Sequence, residues 1–255
     1  MDDQPEKQLK RITQAILGIA VAVCGQASVA QGFVNAYEVP LGVSVNVISN
    51  QLYHQNLNKT IGHWDKHEAE QKKQRAAAAA GALPLAQANG LGIAELTRSL
   101  PREQAQAGRA AYQQAFDFHE QVIRKFGLPS GDLGVAVASA IAGAWMAYNN
   151  QPFPDQFYVP LVNQMRERLG SQGAGLQALS ASERTTTYES LAVAGMLLAS
   201  SQITWARNPR AAGADDLKQR MRTQGGETLT RMLQMPPDRI GIGGSGVYAL
   251  GDARR

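Results

Sequence analysis

Charged and apolar positions alternate in blocks along this chain, and one block without charge runs from Leu133 to Asn149, directly after Asp132. Small residues (Gly134, Ala136, Ala138, Ala140, Ala142, Gly143, Ala144 and Ala147) are interleaved there with Val135, Ile141, Trp145 and Met146. A helix of that composition is apolar all round, which predicts that it lies at the centre of a bundle with neighbouring backbones close to it. Asp132 is placed to cap it, because its carboxylate can accept from amides left unpaired in the first turn.

Four further helices are predicted around it. Tyr112, Ala115, Phe116, His119, Val122, Ile123 and Phe126 recur at three- and four-residue spacing within 105–126, and Gly127 and Pro129 stop that run. A third helix is expected over 157–169, with Pro160 confined to its first turn. Ser180 and Glu183 have capping-box spacing ahead of the apolar stretch 188–205, which Asn208-Pro209 closes. The last helix covers 214–235, where Gly225-Gly226 predict a break or kink, and Pro236-Pro237 end the regular structure. The sequence from Leu128 to Val135 is echoed from Met235 to Ile242, which suggests two related helical hairpins. The predicted class is therefore all-α, a compact bundle of about five helices over residues 100–247, with 248–255 as a disordered tail.

The N-terminal part reads differently. Lys7, Lys10 and Arg11 flank an apolar run from Ile12 to Val23, and Ser28, Val29 and Ala30 form a small-x-small site, so residues 1–30 read as a cleaved signal peptide. A spanning helix needs about 20 apolar residues. The run 12–23 is shorter, and retention as a membrane anchor is the alternative reading. Cys24 raises lipidation, but Val23 before it fits that processing poorly. Cleavage after Ala30 leaves a mature chain without cysteine, hence without disulfides or thiol chemistry, and with no transmembrane segment. Residues 31–99 read as an extended arm and a partly helical linker. Val39, Leu41, Val43, Val45 and Val47 alternate with Pro40, Gly42, Ser44 and Asn46, the period of a strand, and 68–99 holds the run of five alanines from Ala76 to Ala80 followed by Gly81, Pro84, Asn89, Gly90 and Gly92. The folded body is expected to start near Leu100.

Composition sets outer limits. With 255 residues, 44% of them hydrophobic, the chain can bury a sizeable core. The net charge of +4 is dispersed among carboxylates, and even the basic run 66–75 contains Glu68 and Glu70. That pattern does not make the clustered face used on nucleic acid.

Candidate chemistry is sparse. His63 and His67 lie four apart, so one helix face could offer both imidazoles to zinc or copper, although two ligands make an incomplete site. His119 with Glu120, and Glu189 beside Tyr188, are the ionisable groups closest to predicted core positions. A buried carboxylate with a raised pKa at Glu120 or Glu189 would be the route to a glycan- or lipid-cleaving general acid. Gly241 to Gly246 has the spacing of a dinucleotide-binding loop, but without a following helix the context is missing. No cofactor is implied.

Phe126-Gly127-Leu128-Pro129, the Ala-rich stretch ending in Trp145-Met146-Ala147-Tyr148-Asn149, and Tyr188-Glu189-Ser190-Leu191-Ala192, in a chain with an export signal and a polar linker, resemble an uncharacterised family of exported bacterial helical proteins. The resemblance covers about residues 100–247 and implies the helical fold and export, with no site residues. Three functions stay open: a periplasmic or secreted protein that binds a protein or cell-envelope partner, an envelope hydrolase using Glu189 or Glu120, and metal capture by His63 and His67.

Overall fold

The computed structural model describes residues 84–171 and 179–250. The predicted signal segment, the arm and His63 and His67 lie outside the described residues. The described residues form six α-helices: α1 (Leu91–Arg98), α2 (Ala105–Lys125), α3 (Leu133–Asn149), α4 (Tyr158–Ser171), α5 (Ala181–Arg207) and α6 (Ala214–Leu233). An antiparallel hairpin follows, β1 (Ile240–Gly243) and β2 (Gly246–Ala249).

Helix α3 is the centre of the bundle, as its composition predicts. Every residue from Leu133 to Ala144 is buried. Asp132 caps it, Oδ1 accepting from the amides of Gly134 (2.7 Å) and Val135 (3.2 Å), while Oδ2 accepts from Arg166 Nε of α4 at 2.7 Å. Asn150 closes the other end in the left-handed region, with φ 54°. Helices α5 and α6 pack against α3, α4 lies beside it, and α1 and α2 cover α5.

Glycine sets the closeness of these crossings. A Cβ on Gly143 would overlap the Gly195 carbonyl, and one on Gly195 would overlap the Ser139 carbonyl, so α3 and α5 meet backbone to backbone. Gly225 plays the same part between α6 and α3, where a Cβ would sit 2.5 Å from the Ala144 oxygen. The predicted break at Gly225-Gly226 is therefore absent: α6 runs unbroken from Ala214 to Leu233, and the glycines serve packing.

Helix α5 begins with the predicted capping box. Ser180 Oγ accepts from the Glu183 amide at 3.2 Å, and Glu183 Oε2 accepts from the Ser180 amide at 2.8 Å.

Two regions differ from expectation. The body starts before Leu100, because α1 comes from the stretch read as linker and buries Ile93 and Leu96. The regular structure also continues past Pro236-Pro237. Ile240, Ile242 and Val247 alternate with glycines and Tyr248, a strand period that the high glycine content obscures. Gly241 to Gly246 is thus a hairpin, neither a phosphate loop nor a tail, and Tyr248 and Ala249 belong to β2. The echo of 128–135 in 235–242 ends in different structures, α3 in one copy and β1 in the other.

The hairpin is fastened by one side chain. Gln164 on α4 donates from Nε2 to the Val247 carbonyl (2.7 Å) and accepts at Oε1 from the Val247 amide (2.9 Å). Its amide thereby imitates a neighbouring strand along β2. No described helix is long and apolar enough to cross a membrane.

Candidate functional site

Glu120 and Glu189, the two candidate acids, sit on facing helices, and the structure gives each a different set of partners. Glu189 on α5 is fully buried. Its Oε1 accepts from the amides of Asn89 (2.7 Å) and Gly90 (2.8 Å), and Oε2 accepts from the amide of Gly92 (2.7 Å). These are donors that the start of a helix leaves unpaired, so Glu189 caps α1 from α5, beside the single local bond in which Asn89 Oδ1 accepts from the Leu91 amide at 3.3 Å. Gly92 is required for the approach, since a Cβ there would lie 2.6 Å from Glu189 Cβ. Thr185 Oγ1 adds a bond to the Gln87 carbonyl at 3.0 Å, and the Ala86 amide reaches the Gly131 carbonyl at 2.8 Å. The carboxylate is surrounded by main chain.

Glu120 lies one turn beyond Phe116 on α2, with 22% of its side chain exposed. Its Oε1 accepts from the hydroxyls of Tyr188 (2.5 Å) and Ser130 (3.0 Å). Burial alone would raise its pKa, but His119 and the two hydroxyl donors outweigh it and hold the carboxyl below the usual carboxylate range. The charged oxygen in turn leaves the Tyr188 phenol harder to ionise: burial first, then the bond to Glu120, push its pKa far up. A general acid needs the opposite shift, a carboxyl kept protonated near neutrality. Glu120 is built as an anion that organises hydroxyls.

His119 completes this cluster without joining its hydrogen bonds. It is fully buried, stacked on Phe116 at 6.2 Å between ring centres and edge-on to Tyr188 at 5.6 Å. Its Nδ1 lies 3.7 Å from Glu120 Oε1, too far for a hydrogen bond, and neither ring nitrogen has a partner among the described residues.

Tyr188 and Glu189 are consecutive on α5, so their side chains point about 100° apart. Tyr188 turns to Glu120 and α2, whereas Glu189 turns to α1. The structure therefore does not bring the two acids into one cleft as an acid–base pair. Among the described residues no group of three or more His, Cys, Asp or Glu is placed to hold a metal ion.

Residues that sequence reading passed over are partners of buried polar groups. Ser130 binds Glu120, and Tyr158 meets Ser139 Oγ at 2.7 Å inside the bundle. Burial, together with the nearby Asp132 charge, raises the Tyr158 phenol to about 12 despite that bond. Ser130 stands in the short polar turn Pro129-Ser130-Gly131, the one signal that a hydroxyl was available beside α2.

The exposed apolar side chains form another feature. Tyr248 of β2 and Leu250, the residue just past its end, are 45% and 41% exposed, and the Leu250 amide donates to the Arg239 carbonyl at 2.8 Å. The Tyr248 ring covers Gly241 and Gly243 of β1. Leu85 and Leu91, 55% and 41% exposed, flank the start of α1.

In comparison with known proteins, a family model described as a family of unknown function (DUF6683) matches residues 10–248. No curated protein and no solved structure matches the chain.

Proposed function

We propose, from the premise that the chain belongs to this family of unknown function, that it is an exported, non-enzymatic protein that binds a protein or cell-envelope component. The observation that carries the reading is the hairpin face. Tyr248 stands exposed on a short sheet that Gln164 fastens to α4, with Leu250 exposed just past its end, so an aromatic and an aliphatic side chain are presented side by side at a fastened hairpin. Exposed aromatic groups of this kind supply a large share of binding energy when a partner desolvates them. The buried acids support the same reading from the other side. Glu189 is committed to the amides of α1, and Glu120 to the hydroxyls of Tyr188 and Ser130.

Export is part of the proposal and rests on Lys7 to Ala30. The test is photo-crosslinking in a bacterial envelope, with the reactive group at position 248 and, as control, at exposed position 113 on α2. A discrete adduct from 248 alone, on a chain whose mass shows residues 1–30 removed, supports the proposal. A chain retained in the cytoplasm, or equal adducts from both positions, overturns it.

A further inference from the structure

Asn89-Gly90 is the one asparagine–glycine pair in the sequence. It stands at the entrance to α1, with Asn89 exposed and Gly90 in the left-handed region at φ 83°. Such a pair is chemically labile. Without a Cβ beside it, the nitrogen that follows the asparagine can reach the side-chain amide carbon, Cγ, and close a five-membered ring. A Cβ on Gly90 would meet nothing within 4 Å, so the space over the pair is open.

The same two residues are clasped by Glu189. The Asn89 and Gly90 amides donate to Oε1 at 2.7 and 2.8 Å, and the Gly92 amide donates to Oε2 at 2.7 Å. Asn89 Oδ1 accepts from the Leu91 amide at 3.3 Å, the local fold-back typical of asparagine. The attacking nitrogen is thus engaged with a fully buried carboxylate, and rotation on both sides of the Asn89 Cα is restricted. Ring closure needs that nitrogen and those rotations free. An eight-residue helix held by one remote side chain opens locally before the bundle does, so the reaction follows the open fraction of the clasp.

We propose that Asn89 is a self-modification site, which reacts when the Glu189 clasp opens and whose product keeps α1 from closing again. The Gly90 nitrogen loses its proton to solvent base and bonds to Asn89 Cγ, and the side-chain nitrogen leaves as ammonia, giving a succinimide. Water then opens the ring. Attack at Cγ gives aspartate, and attack at the main-chain carbonyl gives isoaspartate. The net change is water for ammonia, with no oxidant or reductant. In isoaspartate the main chain gains one carbon between the two amides that now share Glu189 Oε1, and the old carbonyl becomes a free carboxylate beside Glu189. The amides can no longer meet at one oxygen, and two like charges repel there. Helix α1 is then released in one direction only, with Ile93 and Leu96, which it otherwise buries.

The test ages full-length wild type, Glu189→Gln and Gly92→Ala at mildly alkaline pH. Peptide mapping by mass spectrometry, with an isoaspartate-specific methyltransferase label, follows the product. Gly92→Ala opens the clasp without altering the reacting atoms, because its Cβ would lie 2.6 Å from Glu189 Cβ and 2.8 Å from the Thr186 carbonyl oxygen. Asn89 is expected to react roughly tenfold or more slowly in folded than in denatured wild type, and about tenfold faster in each variant than in folded wild type. Exchange of the Ala140 amide in α3 is the control for folding. Isoaspartate chains, separated by their added charge, are expected to lose protection of the Gly92 amide. Equal rates in folded and denatured wild type overturn the proposal, and so does a Gly92 amide that stays protected in isoaspartate chains. Both of these readings need wild type alone. Folded variants that react no faster than wild type overturn it as well, since the clasp is then not the gate.

Discussion

Gly143 and Gly195 meet across the α3–α5 crossing so closely that a Cβ on the first would occupy the carbonyl position of the second. Neither glycine has a positive φ. Their value is the absence of a side chain, which brings two helix backbones into contact over the middle of the core.

Gly143→Ala and Gly195→Ala therefore destabilise the fold although alanine is the better helix former. The gain in propensity is about 1 kcal/mol, and the overpacking cost is about 3 kcal/mol or more because the obstacle is main chain. Urea denaturation of the two variants checks this. Unchanged or raised midpoints would mean that the crossing relaxes easily.

Glu189→Ala leaves three amides at the start of α1 without their buried acceptor. Loss of a charged acceptor of this kind costs about 3 kcal/mol, and Glu189→Gln, which keeps one carbonyl oxygen, costs less. Exchange of the Gly92 amide accelerates in both variants before global unfolding. A stability equal to wild type in Glu189→Ala would show that the cap is dispensable.

Acid sensitivity follows from Glu120. Its folded pKa lies below the usual 4.5, so its contribution to stability is fully present above that value. The contribution is lost as pH falls through the lower folded value. Glu120→Gln is thus less stable than wild type at neutral pH, and the two converge below pH 4.5. Denaturation midpoints measured from pH 7 to pH 3 show the convergence. A gap that stays constant across that range would remove Glu120 as the titrating group.

His119→Leu tests the buried imidazole. The variant removes a fully buried polar ring that lacks hydrogen bonds, but it also removes the neighbour that helps to hold the Glu120 carboxyl down, so the loss of stability on acidification is smaller than in wild type. Thermal unfolding reads the change. A Tm that depends on pH between 7 and 3 as in wild type would mean that His119 does not act on Glu120.

Much of the helical core is legible from sequence because its signals are local. Asp132 stands directly before α3, Ser180 and Glu183 lie three apart at the head of α5, and Gly127 and Pro129 follow the end of α2. Helix α1 escapes the same reading because its cap is Glu189, nearly a hundred residues away, and its eight residues follow a run that looks like linker. Gly225 and Gly226 mislead in the opposite direction. In a single chain they signal a break, and only the backbone of α3 beside them explains why a continuous helix uses them. The candidate acids are legible as ionisable groups near the core, but their roles depend on which partners fold onto them. Tyr188 and Glu189 differ by one position and serve different helices.

The bond between Glu189 and α1 also imposes an order on synthesis. The ribosome makes α1 early and α5 some ninety residues later, so the first helix emerges without the acceptor for its leading amides. An eight-residue helix is marginal alone. Closing a loop of this length has an entropic cost that must be met before the contact forms. The beginning of the folded body therefore stays uncommitted until the second half of the chain is delivered, and α1 becomes a record that α5 is in place.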